Sequence, residues 1–331
     1  MYKESPGATR RTGFTVAAAA LLVAGAAAGT TAHAVDWDQV EGKEIRLIYA
    51  GQASFERAMT PSRHDERAVE RFRDEGRNCK YCHDDEQDEM GENVLSGDSP
   101  LEPNVERVAG MPPFIDLQVQ ATHDGENAYF RLSWDDANYD GEVMDPDYQA
   151  RANMMFATPA VRVATRTGCF GTCHDDMIGM AYEYDGNEDL TKYIFESRTD
   201  LTPHGAGTSY RSDGELQDLI ADGVFMEYWQ AKLTPEGDAV PVDGYVLDRR
   251  HIHDEPAISA DAEHDGDRWS VVFSRPLAAG TDTRKDLEPG TVYHGGFAIH
   301  EAHADRRFHH VSLEYTFTID SDDGDIAVMS Q

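Results

Sequence analysis

The sequence predicts a mainly β fold, an antiparallel β-sandwich with a helical insertion. Residues 115–121 alternate between apolar and polar side chains, which is typical of a strand with one buried face. The dipeptide Asp124-Gly125 follows this segment, and Asp-Gly between two alternating segments is a strong hairpin signal. Short alternating segments with turn residues between them recur along the chain, which favours a sandwich.

The remaining elements are predicted in chain order. A short strand at residues 45–49 precedes a charged, helix-prone segment at about residues 65–75. After the hairpin turn, Ala128, Phe130, Leu132 and Trp134 fall on one face of the return strand. Further strands are predicted at residues 154–156, 161–164, 269–273, 296–300 and 311–319. Residues of about 165–235 form the insertion, with a helix predicted over 215–232.

The first 34 residues have the pattern of a secretory signal peptide. A basic stretch precedes an apolar run at residues 14–28, and the small residues Thr31-Ala32-His33-Ala34 suit signal peptidase. The run is shorter than the roughly 20 residues that span a bilayer, so we expect no stable membrane insertion. We therefore expect an exported, soluble, periplasmic protein, with an uncleaved N-terminal membrane anchor as the alternative. Arg10-Arg11 leaves the export route open.

The charge balance is strongly acidic. The chain has 62 Asp and Glu against 29 Lys and Arg, a formal net charge of −33. Such a surface repels phosphate backbones, which excludes nucleic acid as a partner. Because the acidic residues are spread along the chain, we favour adaptation to high salt over electrostatic steering toward a basic redox partner.

The four cysteines form two pairs, each followed by histidine. The first, Cys79-Lys80-Tyr81-Cys82-His83, has the C-x-x-C-H spacing of c-type haem attachment. In such a motif the two thiols bond the haem vinyl groups and the histidine ligates the iron. The second pair, Cys169 and Cys173 before His174, has one extra residue and is a less common variant of this motif. The sequence therefore predicts two covalently bound haem c groups.

Other uses of these cysteines are weaker explanations. Disulfides are the ordinary fate of exported cysteines, but they do not require a histidine after each pair. A structural zinc site needs clustered ligands, whereas these pairs lie about 90 residues apart in the sequence. A thioredoxin-type dithiol needs a βαβ pattern, which this sequence does not have. The predicted organisation is a signal peptide at residues 1–34, a haem segment at 35–104 and a sandwich haem domain at 105–331.

The sequence resembles the haem-binding subunits of the ethylbenzene dehydrogenase and DMSO-reductase type. The features that carry this resemblance are the hairpin, the Cys169–His174 motif and the C-terminal segment at residues 297–313. The resemblance covers residues of about 105–320 and, for c-type members, the upstream segment with Gly51-Gln52-Ala53-Ser54 and the first motif. It implies a β-sandwich haem domain that exchanges electrons with a molybdenum oxidoreductase or a respiratory chain. Members of the dehydrogenase type hold haem b through Met and Lys, whereas this sequence has cysteine attachment; Met154/Met155 and His300 are the suggestive matching positions.

An electron-transfer haem is usually six-coordinate, with His or Met as the second axial ligand. We expect His64 to fold back over the first haem, and one of His300, His303 and His310 to ligate a haem. The methionines that stay open as ligands are Met90, Met155, Met177 and Met180. Arg249 or Arg250 pairs with a haem propionate or forms part of a solvated basic patch.

Three classes of function fit these features. The favoured one is an electron carrier that exchanges single electrons with a cytochrome, a quinol-linked donor or a molybdenum oxidoreductase. The alternative is a haem enzyme with an open iron site, of the peroxidase or nitrogen-oxide reductase type. A binding or sensing module is the third, because a fold does not fix a function.

Overall fold

The computed structural model describes residues 35–51, 65–97, 102, 104–172, 193–199, 201–202, 205–206 and 210–331. The predicted signal peptide, Gln52-Ala53-Ser54, His64, Cys173, His174, Met177 and Met180 lie outside these residues. In the described part of the chain, no helix has the length and apolar character that a membrane span requires.

The described residues are mainly β. The strands are β1 (Gly42–Tyr49), β2 (Phe114–His123), β3 (Asn127–Asp135), β4 (Ala150–Ala157), β5 (Leu201–Thr202), β6 (Gly205–Ala206), β7 (Met226–Leu233), β8 (Ala239–Val246), β9 (Arg250–Ile252), β10 (Ser259–His264), β11 (Arg268–Pro276), β12 (Val292–His300), β13 (His310–Ser312), β14 (Tyr315–Ile319) and β15 (Ile326–Ser330). The α-helices are α1 (Glu66–Arg73), α2 (Lys80–His83), α3 (Gln87–Leu95), α4 (Ala164–Thr167) and α5 (Asp213–Ala221). Short 3-10 turns occupy Trp37–Gln39, Asp84–Glu86, Val105–Val108 and Phe195–Ser197.

One sheet contains all the strands except β5 and β6, which pair with each other. Its order is β10-β11-β3-β2-β1-β13-β12-β4-β7-β8-β9, and these neighbours are antiparallel. Strand β14 pairs with β12, and β15 runs parallel to both β14 and β2. Strand β1, from the predicted haem segment, pairs with β2 and β13 and so contributes to the same sheet.

The two halves of this sheet pack face to face, as expected for a sandwich. Alternate side chains of β2, β3 and β11 share one apolar core with alternate side chains of β4, β7, β12 and β14. Phe130 of β3 lies in edge contact with Trp229 of β7 and with Phe317 of β14, at ring-centroid distances of 5.8 and 5.2 Å. The predicted mainly β, sandwich fold is confirmed.

The predicted β2–β3 hairpin is confirmed in its register and its turn. Ala121 lies opposite Phe130 and Leu117 opposite Trp134. Gly125 has a φ of 88°, a backbone conformation that glycine adopts at little steric cost. The Asp124 carboxylate accepts hydrogen bonds from the backbone N–H groups of Glu126 and Asn127, which fixes the turn.

Two predicted elements are wrong. Residues 161–164 form a turn that leads into α4, and the backbone N–H of Val161 donates to the Thr158 carbonyl at 3.1 Å. The helix predicted over 215–232 ends at Ala221, because Gly223 adopts a φ of 72° and its N–H donates to the Ile220 carbonyl. After a turn at residues 222–225, the chain continues as strand β7. Short apolar runs suit a helix and a buried strand equally well, which explains both errors.

The strand predicted over 311–319 is interrupted. Strand β13 ends at Ser312 and β14 begins at Tyr315. The break changes which face the side chains occupy, because Val311 belongs to an apolar cluster outside the sandwich whereas Tyr315 and Phe317 point into its core. The region around the His309-His310 pair is therefore arranged differently from a continuous strand.

A second apolar cluster covers the outer face of β12, β4 and β7; we refer to it as the outer cluster. Met155, Tyr228 and Ala298 contribute from these strands, and Cys169 from the turn after α4. Gly296 makes this contact possible, because a Cβ added there would lie 3.0 Å from both the backbone nitrogen and the Sγ of Cys169. Gly168, with a φ of 59°, approaches β12 even more closely, since its added Cβ would lie 2.5 Å from the Gly295 carbonyl oxygen.

We predict that Phe130→Ala lowers the free energy of unfolding by about 3–5 kcal/mol, the usual cost of removing a buried aromatic side chain. The measurement is chemical denaturation followed by circular dichroism. Tyr129→Ala is the matched control: Tyr129 is the half-buried neighbour whose side chain points to the other face of β3. We expect about 1 kcal/mol there. Equal losses at the two positions would contradict the packing of the two halves through Phe130.

We predict that Gly296→Ala destabilises the fold by about 1–3 kcal/mol, because the methyl group has no space beside Cys169. Gly214→Ala in α5 is the control, since an added Cβ there meets no atom within 4 Å. That change is expected to be neutral or stabilising by about 0.5–1 kcal/mol. Thermal unfolding of both variants provides the measurement, and a neutral Gly296→Ala would contradict the close approach.

Candidate functional site

The first cysteine motif is a single helical turn. Cys79 precedes α2, which contains Cys82 and His83, and the His83 N–H donates to the Cys79 carbonyl at 3.0 Å. The Asn78 side-chain oxygen accepts from the Tyr81 N–H at 2.9 Å and starts the turn. Residues three apart on a helix lie on the same side, so this turn places both thiols along one edge.

The histidine of this motif has the kind of partner that ligating histidines have. His83 Nδ1 lies 3.0 Å from a Glu86 carboxylate oxygen. Metal-ligating histidines commonly donate their second ring N–H to a carboxylate or a carbonyl, which orients the ring. The arrangement therefore fits His83 as an iron ligand through its other nitrogen.

The environment of Cys79 suits a thioether better than a thiolate. Burial raises the pKa of the Cys79 thiol to about 12, and the neighbouring Cys82 and Glu314 act in the same direction. A zinc site requires deprotonated cysteines, whereas a haem thioether is neutral. Among the described residues, no three His, Cys, Asp or Glu side chains are grouped as a metal site would require. The spacing of Cys79, Cys82 and His83 matches the donor set of a c-type haem, and the attachment stays a prediction here.

The second motif begins at Cys169, directly after α4. Cys169 is buried, and its thiol lies 3.7 Å from the Phe297 carbonyl of β12. Cys79 and Cys82 are free cysteines in the described structure. Because Cys173 and His174 lie outside the described residues, the predicted second attachment stays a prediction there.

The two motifs are neighbours in the fold although about 90 residues separate them in the sequence. The Cys79 N–H donates to the Arg166 carbonyl of α4 at 2.9 Å, and the Arg166 side chain donates to the Phe72 carbonyl of α1 at 3.1 Å. Cys79 packs against the outer cluster, to which Cys169 belongs.

Glu314 gives the first motif a further attachment to the sheet. Its carboxylate accepts from the Asn78 side chain at 2.6 Å and lies 2.6 Å from His294 Nδ1 of β12. Lys80 of α2 pairs with Asp325 at 3.0 Å. The first motif is therefore held on the same part of the sandwich as Cys169.

A cavity of about 320 Å³ lies beside Cys169, and we refer to it as the Cys169 cavity. Its apolar wall includes Cys169, Phe170, Met155, Tyr228 and Ala298. Its basic residues are Arg107, Arg151, Lys232, Arg250, Arg306 and Arg307, against the acidic Asp145 and Asp305. An apolar wall with basic side chains around it fits a flat apolar macrocycle that carries two carboxylates.

Two of these arginines have unused hydrogen-bond donors. Arg151 pairs with Asp145 and Asp305, and Arg307 with Glu102. The Nε atoms of Arg151 and Arg307 are nevertheless buried without a hydrogen-bond partner in the described part of the chain. Because buried donors normally find an acceptor, the residues present fit a bound group with carboxylate oxygens.

Of the basic pair proposed from the sequence, Arg250 lines the Cys169 cavity and Arg249 does not. Arg249 is exposed and pairs with Asp248 at 3.0 Å. The position of Arg250 therefore supports the prediction that it pairs with a haem propionate, and the position of Arg249 does not.

The candidate axial histidines occupy different environments. His300 lines the Cys169 cavity, whereas His303 and His310 are not among its lining residues. His303 Nδ1 lies 2.9 Å from the Asp145 carbonyl oxygen, and His310 Nε2 lies 2.7 Å from that of Pro112. Met155 also lines this cavity, and Met90 packs against the outer cluster. None of these placements tests ligation, so the ligand assignments stay predictions.

His309 is a cavity residue that sequence reasoning passed over. The alternation that continues through residues 311–319 assigns His309 to the core face, but β13 begins only at His310. The His309 ring lies against the His300 ring at a centroid distance of 4.6 Å. Although His309 is only half-buried by surface area, desolvation lowers its pKa to about 4. The break between β13 and β14 places His309 at the cavity, and no sequence pattern marks this break.

Comparison with known proteins identifies a family and two relatives. The sequence model of the ethylbenzene dehydrogenase family matches residues 34–221 and 221–312. Cytochrome c-552 of Stutzerimonas stutzeri is 34% identical over 319 residues, which cover 95% of this chain and 97% of that protein. Cytochrome c-551 of Rhodocyclus tenuis is 25% identical over 300 residues, 90% of this chain and 100% of that protein.

A solved structure also matches in part. A family 9 carbohydrate-binding module from Caldicellulosiruptor kristjanssonii, in complex with cellotriose, covers 65% of this chain and 75% of its own. The sequence identity is 10% and the TM-score 0.28, a value that does not establish a common fold. The family match over most of the chain does establish the family. The chain belongs to the ethylbenzene dehydrogenase family of haem-binding proteins, alongside relatives named as c-type cytochromes.

Proposed function

We propose that this chain is a periplasmic dihaem c-type cytochrome that transfers single electrons in a respiratory chain. The observation that carries the proposal is the hydrogen bond from the Cys79 N–H to the Arg166 carbonyl, three residues before Cys169. It joins the two cysteine segments directly. Haems attached at both would share one apolar cluster, and electron transfer between redox centres needs such proximity.

The electron balance is simple. Each haem supplies one iron that alternates between the ferrous and ferric states. A reduced donor, a quinol-linked protein or another cytochrome, gives up one electron and becomes oxidised. An oxidised acceptor, such as a molybdenum oxidoreductase or a terminal reductase, takes it up. The relatives named as cytochromes c support covalent haem c and a redox protein as partner.

The residues of this chain have separate roles in the proposal. Cys79 and Cys82 hold the first haem, with His83 as its ligand; Cys169 and Cys173 hold the second, with His174. Arg151, Arg250 and Arg307 line the Cys169 cavity and supply donors to carboxylates of a bound haem. The apolar wall at Met155 and Tyr228 excludes water from the macrocycle face.

We predict two covalent haems per chain in protein purified from the exported fraction of a host with the c-type maturation system. The measurement is the alkaline pyridine haemochrome spectrum, together with protein quantification. The double variant Cys79→Ser/Cys82→Ser is expected to retain one haem, and Cys169→Ser/Cys173→Ser likewise one, because each pair attaches its own macrocycle. Each variant serves as the control for the other.

Wild-type protein with a single haem that Cys169→Ser/Cys173→Ser does not remove would contradict the dihaem proposal. Protein without covalent haem would contradict the cytochrome proposal and favour the zinc or disulfide explanations. Carbon monoxide binding to the reduced wild type separates carrier from enzyme. A carrier with closed sites does not bind it, whereas binding to the reduced wild type would favour the peroxidase or nitrogen-oxide reductase alternative.

A further inference from the structure

We propose that His309 is the second axial ligand of the haem attached at the Cys169 motif. This inference deepens the proposed function and rests on it. Its starting point is that two histidines, His300 and His309, line the Cys169 cavity together with Cys169 itself. Their hydrogen bonds distinguish them.

Both ring nitrogens of His300 are already used. The Asn153 side-chain oxygen accepts from Gln230 and from the Tyr228 hydroxyl, at 2.6 and 3.3 Å, so its NH₂ group must point the other way. That NH₂ lies 3.3 Å from His300 Nδ1, which is therefore an acceptor. His300 Nε2 must then carry the proton, and it donates to the Arg306 carbonyl at 2.9 Å. His300 has no lone pair left for iron unless these bonds break.

His309 has the opposite arrangement. Its Nδ1 lies 3.1 Å from the same Arg306 carbonyl, which can only accept, so Nδ1 carries the proton. In the neutral ring this leaves the lone pair on Nε2, for which the described residues provide no hydrogen-bond donor. A backbone carbonyl on one nitrogen and a lone pair on the other is the usual state of an iron-ligating histidine.

The backbone supports this assignment. Arg306 has a φ of 55°, in the left-handed region that residues other than glycine seldom adopt. The Arg306 carbonyl oxygen lies within hydrogen-bonding distance of both His300 and His309. Backbone strain of this kind persists where surrounding structure fixes it, and it concentrates at functional sites. The stacking of the two rings at 4.6 Å further restricts the orientation of His309.

Met155 is the competing ligand, because it lines the same cavity. It is 3% exposed and packs within the outer cluster, as methionines that fill apolar space do. His309 differs from Met155 because its Nδ1 is fixed by the hydrogen bond to the Arg306 carbonyl, which leaves the Nε2 lone pair for the iron. We therefore assign the ligand to His309.

The test uses His309→Ala and His309→Met in the full-length holoprotein, with low-temperature electron paramagnetic resonance of the ferric form. We expect His309→Ala to keep both covalent haems but to convert one of two low-spin signals to high spin. Added imidazole should restore the low-spin signal, since it supplies the missing ligand. His309→Met should instead keep that haem low-spin and raise its midpoint potential, because methionine ligation favours the ferrous state.

His264→Ala is the matched control. His264 is a partly buried histidine paired with Asp136 at 2.9 Å, and it does not line the cavity. Both signals should stay low-spin in this variant. If His309→Ala carries two haems and both stay low-spin, the assignment is wrong, and the same experiment on Met155→Ala identifies the alternative. A wild type with fewer than two haems would overturn the proposed function instead, so the two failures are distinguishable. If His309→Ala does not fold, an unchanged potential in His309→Met overturns the assignment.

Discussion

The arrangement of the site depends on the close contact between the Cys169 turn and strand β12. Gly296 has no side chain, so the backbone and Sγ of Cys169 can lie directly against the sheet. This contact fixes α4, and α4 presents the Arg166 carbonyl that receives the Cys79 N–H. A single close approach on the outer face of one sheet thus determines where both cysteine segments lie. The sandwich core below makes that face rigid enough to hold them.

The Cys169 cavity is lined mainly by basic side chains, whereas the chain as a whole is strongly acidic. A protein with a formal charge of −33 collects six basic side chains around one cavity. Burying guanidinium groups is expensive unless acceptors compensate them, and carboxylates such as Glu102 and Asp145 do so only in part. Within the described part of the chain, the buried Nε atoms of Arg151 and Arg307 have no hydrogen-bond partner. A ligand with two carboxylates would place negative charge beside these cations and offset part of the cost of burying them.

Much of the fold was predictable because it follows from local periodicity. The β2–β3 hairpin has a period of two and an Asp-Gly turn, and both signals lie within a few residues of each other. The predictions failed where tertiary contacts decide. Residues 161–164 were predicted as a strand, but they form a turn that places α4 against β12. Residues 226–232 were predicted as part of a helix, but pairing with β4 and β8 makes them a strand.

The sequence predicted the local structure of the first cysteine motif but not the arrangement of the whole site. The first motif consists of the five consecutive residues Cys79 to His83, so its helical turn could be expected from the spacing of the cysteines alone. The proximity of Cys79 to Cys169 could not, because it depends on long-range hydrogen bonds such as that to Arg166. The position of His309 depends on the break between β13 and β14 and on the left-handed backbone at Arg306. Neither has a local sequence signal.

The two cysteine segments differ in exposure, and under the proposed function this difference separates their tasks. Cys82 is exposed and Tyr81 beside it is 55% exposed, whereas Cys169 is 6% exposed. A haem at the first motif would have an edge near the surface, where a partner protein can approach it. A haem at Cys169 would lie among apolar side chains and arginines, which disfavour the extra positive charge of ferric iron and so raise its potential. The first site would then exchange electrons with partners, and the second would hold them within the protein.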